Sequence, residues 1–104
     1  MSTITNNCET VKLIALYGDK RLKKLCKKPV HFSIITYKIA SQLASIDEAM
    51  YYNEVSEGSF AERRRLNRLY RKTCRQLERA IKNNTRRWKK YVKMGLVRAE
   101  KEGD

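Results

Sequence analysis

Twelve cations fall on one side of a single helical wheel. Stepping at about 100° per residue along residues 59–93 gathers Arg64, Arg65, Arg68, Arg71, Lys72, Arg75, Arg79, Lys82, Arg86, Lys89, Lys90 and Lys93 on one arc. The arc is roughly 120° wide by the same geometry, and no carboxylate lies on it. Arginine offers a planar fork that matches phosphate bidentately, and lysine offers a point charge. A solvated helix face usually mixes signs, because Glu–Lys pairs stabilise it and like charges four apart destabilise it. A face of one sign repels itself until a polyanion neutralises it. Residues 20–28 add a second basic set, Lys20, Lys23, Lys24 and Lys27 with Arg21 and Lys28.

The opposite stripe of the same segment holds Leu66, Leu69, Tyr70, Leu77, Ala80, Ile81, Trp88 and Tyr91. Its rings are therefore turned away from the cations. Single-strand binding needs exposed rings among cations, so this pattern favours the backbone of a duplex or of structured RNA. No set of side chains suited to base edges stands out, and contacts to phosphate position a protein without reading sequence.

Other chemistry is poorly served. His31 is the only histidine, and Asp47, Glu54 and Glu57 have no cysteine or histidine beside them in the chain. No glycine loop of the phosphate-cradling kind occurs. Cys8, Cys26 and Cys74 are widely spaced, whereas a zinc site needs about four ligands with local pairs. No metal, no cofactor and no enzymatic activity are expected. Isolated thiols suit a reducing compartment. A helix-turn-helix within residues 36–55 is disfavoured, because its recognition helix would carry Asp47, Glu48 and Glu54, and Asn53 stands where an apolar residue belongs. Residues 88–94 have the look of a basic amphipathic membrane or calmodulin-type segment. The basic face runs far N-terminal of it, however, and no apolar run reaches the ~18 residues of a membrane span. No membrane partner is expected. Residues 1–7 are polar, without the features of a signal peptide, which points to the cytoplasm, or to a host cell's cytoplasm or nucleus.

What must position the cations is a helical scaffold. The chain has 104 residues and net charge +13, with a pI near 10.0. That length is one domain, residues 1–104, with 1–7 and 99–104 frayed. A hydrophobic content of 41% excludes a wholly disordered basic tail. The apolar residues follow a helical period throughout, and four glycines and one proline leave few breaks.

The first predicted helix covers residues 8–28, capped by Thr5, Asn6 or Asn7. Its stripe is Val11, Ile14, Ala15, Leu22, Leu25 and Cys26. Gly18-Asp19 kinks or breaks it, and Pro29 ends it. The second covers 32–55, with a spine of Phe32, Ile35, Ile39, Leu43, Ile46 and Met50. Tyr37, Ala40, Ala44, Tyr51 and Val55 lie on another side, the pattern of a buried central helix. Residues 30–58 carry a net charge of −3, so structure concentrates in the middle of the chain and charge on its flanks. Ser59-Phe60-Ala61-Glu62 reads as a capping box opening the third helix. Gly95 reads as its left-handed cap, with Leu96 packing back. Thr73 and Asn84 interrupt the third helix's apolar stripe. A buried Asn there fixes register in a helical dimer, or is simply half exposed.

The expectation is an all-α fold: a small bundle of about three helices with a long C-terminal basic amphipathic helix, compatible with a helical homodimer. The expected function is non-enzymatic binding of nucleic acid, duplex DNA or structured RNA, through the arc and the lysines of residues 20–27. A small regulatory or accessory role, of the kind viral or phage proteins fill, fits the size. The rival expectation is a regulator whose basic helix docks on an acidic surface of a host protein.

Overall fold

The computed structural model describes residues 3–95, with side chains from Glu9 onward. The chain forms α1 (Thr3–Tyr17), α2 (Lys20–Leu25), α3 (Ile34–Val55) and α4 (Phe60–Lys93), and no strand occurs among the described residues. This is an all-α bundle in which α3 packs on both α1 and α4, while α2 bridges α1 and α4. The fraying expected of residues 99–104 and the packing expected of Cys8 and Leu96 lie outside the described residues and side chains, whereas residues 3–7, also expected to fray, are helical.

The first basic-apolar segment breaks into two helices at Gly18-Asp19. Gly18 donates its amide to the Ile14 carbonyl at 2.8 Å. A Cβ at Gly18 would stand 2.7 Å from that oxygen and 3.0 Å from the Ile14 side chain, so only glycine closes α1 this tightly. Asp19 then starts α2 by accepting from the Leu22 amide at 2.9 Å. The other end of α1 departs from expectation. The helix begins at Thr3, so Thr5, Asn6 and Asn7 lie within it rather than ahead of it.

The buried face of α1 is also shifted. Thr10 and Ile14 are buried and Leu13 and Tyr17 half-buried, whereas Val11 and Ala15 are exposed. Two overlapping stripes share Ile14, and the one carrying Leu13 and Tyr17 brings more apolar area to the core. In α3 the same kind of slip occurs once. Thr36 is buried and Ile35 is 64% exposed, because Thr36 is held in the helix cap. Ser33 accepts from the Thr36 amide at 3.3 Å while the Thr36 hydroxyl accepts from the Ser33 amide at 2.7 Å. Tyr51 and Val55, expected inside, are exposed. α3 is unbroken from Ile34 to Val55, so the region contains no helix-turn-helix.

The core is built from every element: Ile14 of α1, Leu22 of α2, Phe32 from the loop, Ile39, Ala40 and Leu43 of α3, and Cys74, Leu77 and Ile81 of α4. α4 opens on Ser59, whose hydroxyl accepts from the Glu62 amide at 3.0 Å. The other half of the anticipated box is replaced, since the Glu62 carboxylate takes Arg65 in a fork at 2.8 and 2.7 Å. At the far end Gly95 adopts φ +76, the left-handed conformation expected there. Asn84 is half exposed, the second of the two readings of that position. Its amide donates to the Ser33 hydroxyl at 2.8 Å, tying α4 to the cap of α3.

Candidate nucleic-acid interface

α4 carries the arc along one edge of a molecule measuring 55 × 22 × 20 Å. Its cations divide into two groups. Arg65 pairs with Glu62, Arg75 with both Asp19 and Glu78, and Lys82 with Glu78. Arg64 lies over the Phe60 ring, 5.6 Å from its centroid. Arg68, Arg71, Lys72, Arg79, Arg86, Lys89, Lys90 and Lys93 are exposed and make no ion pair among the described residues.

Arg75 and Lys82 of the paired group belong to a joint. Glu78, only 5% exposed, sits on the border between the apolar stripe and the arc. Its carboxylate takes Arg21 Nε at 3.0 Å, Arg75 at 2.5 Å and Lys82 at 2.9 Å. Burial alone would push its pKa up. The Lys82 hydrogen bond and the charges of Arg21, Lys82 and Arg75 outweigh that and hold it below the usual carboxylate range. Arg75 completes the joint by reaching Asp19, the residue that caps α2. Sequence placed all twelve cations in one class. It could not show that Arg75 and Lys82 are held by acids, because Asp19 arrives from another element and Glu78 lies just off the arc.

This joint brings α2 to the arc. Lys20 and Arg21 share a groove with Tyr70, Arg71 and Arg75, and Arg21 shares the adjoining surface with Lys72 and Arg79. Of the second predicted basic set, Lys20 therefore joins the arc. Lys23, Lys24 and Lys27 are exposed and line neither groove. Arg21 is the functional candidate that selection of its lysine neighbours passed over. Nothing local in the sequence marks it, since its partner lies on α4.

Of the three rings expected to turn inward, Tyr70 and Trp88 do so and Tyr91 does not. Tyr70 is half-buried and donates its hydroxyl to the Tyr17 carbonyl at 2.7 Å, and burial pushes its pKa above the usual tyrosine value. Trp88 stacks on His31 with centroids 4.5 Å apart. The His31 amide donates to the Thr85 hydroxyl at 3.0 Å, so this histidine pins the loop before α3 to α4. Tyr91 is 42% exposed and is the ring of the stripe that reaches solvent most. Cys26 and Cys74 are free thiols, and burial raises the pKa of each. Among the described residues no group of His, Cys, Asp and Glu could hold a metal ion, and no helix is long and apolar enough to cross a membrane. The chain matches no protein-family model, no curated protein and no solved structure.

Proposed function

We propose that this protein binds nucleic acid without acting on it chemically, gripping the phosphate backbone of a duplex or of structured RNA with the outer edge of α4. One observation carries the reading: the exposed, unpaired cations from Arg68 to Lys93 stand on one continuous helix. At 1.5 Å per residue they span about 38 Å, slightly more than the ~34 Å of one duplex turn. A rigid row of that length meets phosphates on both sides of a groove, and a helix already folded loses little entropy on binding. The contacts are positional, so sequence preference is low.

The test is a binding series with duplex DNA, duplex RNA and single strands between 50 and 300 mM salt. Each phosphate neutralised contributes about −0.9 to the log–log salt slope, so six to eight contacts give a slope of about −5 to −7. The double charge reversal Arg71→Glu with Arg79→Glu should weaken binding more than 100-fold while leaving helicity unchanged, because both side chains are exposed and unpaired. Binding without a salt slope, or to no nucleic acid at all, sinks the reading.

A further inference from the structure

We infer that the groove between α2 and α4 is a discrete phosphate site, in which Arg21 presents a fixed guanidinium fork to one phosphodiester of the bound nucleic acid. The inference rests on the nucleic-acid reading and sharpens it to one contact.

Its basis is how Arg21 is held. Glu78 takes the Nε of Arg21 at 3.0 Å, and the Arg21 side chain stays 67% exposed while that of Glu78 is 7% exposed. Glu78 is the acid that Arg21 pairs with among the described residues, and the closest approach is through Nε. A guanidinium paired through Nε with a buried carboxylate, and otherwise exposed, can offer its terminal nitrogens outward while the pairing narrows the positions it takes. Those terminal nitrogens match two phosphate oxygens, and a side chain positioned beforehand avoids part of the ordering cost of binding.

The neighbours complete the site. Lys20 and Arg71 line the groove on one side of Arg21, and Lys72 and Arg79 line the surface on the other. The acids nearest it, Asp19 and Glu78, are both committed to Arg75, and Glu78 also to Lys82. Asp19 and Glu78 line these same surfaces, so a phosphate here meets an excess of cations beside two acids already neutralised by their partners. Arg71, Lys72 and Arg79 belong to the arc itself, so the same strand that lies on α4 passes this groove. That continuity assigns the phosphate to a nucleic-acid backbone.

Substitutions that keep charge separate a fixed fork from bulk attraction. Arg21→Lys retains the cation but cannot both anchor on Glu78 and present two parallel donors. It should raise the Kd for duplex about tenfold with the salt slope unchanged. Arg68→Lys, at an exposed arginine with no acid behind it, should stay within about twofold. Glu78→Gln makes the protein more positive, which by simple attraction tightens binding. Loss of the anchor should instead weaken it several-fold, with folding checked by circular dichroism. Phosphatidic acid vesicles titrated in parallel should not distinguish wild type from Arg21→Lys. Duplex binding by Arg21→Lys within twofold of wild type overturns the inference while leaving the broader reading intact. Tighter binding by folded Glu78→Gln, or an Arg21-dependent preference for vesicles over duplex, also overturns it. Absence of any duplex binding by wild type removes both readings together.

Discussion

Glu78 is the residue at which charge and burial meet. It is a buried acid on a basic helix, and it is stabilised there because three cations from two elements converge on it. Removing one member of such a buried set destabilises strongly, since the others are left uncompensated. Its carboxyl is held below its ordinary pKa. A carboxyl whose folded value lies below its unfolded value contributes stability above the unfolded pKa, and loses it as pH falls through the folded one. The thermal midpoint of wild type should therefore fall as pH drops from about 5 to 3. Glu78→Gln should melt lower at pH 7, by about 4–8 °C for each kcal/mol lost, yet show a flatter acid dependence. Melts followed by circular dichroism across that pH range decide it, and an equal acid slope in the variant would clear Glu78 of the role. On a helical wheel Glu78 looks like a stray acid beside the arc. Its importance comes from Arg21 and from Asp19's pairing with the same Arg75, which are distant in sequence.

At the scale of elements, the sequence showed where helices lie better than which way they face. α4 was legible at both ends, because Ser59 to Glu62 fits a known cap pattern and Gly95 suits a left-handed residue. The cap of α3 was hidden, because its third helical residue is Thr36 rather than Glu or Gln. α1 has apolar side chains on both sides of its core-facing line, so only its neighbours could choose between Val11 and Leu13. The caps also differ in what they hold, and this is measurable. Ser33 accepts from the Thr36 amide and from the Asn84 side chain, whereas Ser59 accepts from the Glu62 amide and is exposed. Ser33→Ala should cost about 1.5–2.5 kcal/mol, a cap plus one interhelix hydrogen bond. Ser59→Ala should cost about 0.5–1 kcal/mol. Urea unfolding ranks the two, and equal losses would mean that the Asn84 contact contributes nothing to stability.

For the whole molecule, the basic edge is two systems sharing one helix. The exposed cations serve the outside, and the Arg75–Glu78–Lys82 set holds α4 to α2. A count of positive residues treats them alike, and an ionic ligand does not. Arg86 is exposed and makes no ion pair with the described acids, so Arg86→Ala should leave the unfolding free energy within about 0.5 kcal/mol of wild type. It should flatten the salt slope for duplex binding by about 0.9, the share of one phosphate contact. Arg75→Ala removes the same formal charge from the same arc with the opposite signature. It strands Asp19 and Glu78 together, so the melting midpoint should drop clearly. The slope should change by less than half as much as in Arg86→Ala, because the guanidinium's terminal nitrogens are already taken by acids. Paired melts and salt titrations of these two variants separate charge available to a ligand from charge used to build the protein. Equal slope changes in both would mean that Arg75 lets go of its acids to meet phosphate, and that the joint opens when nucleic acid binds.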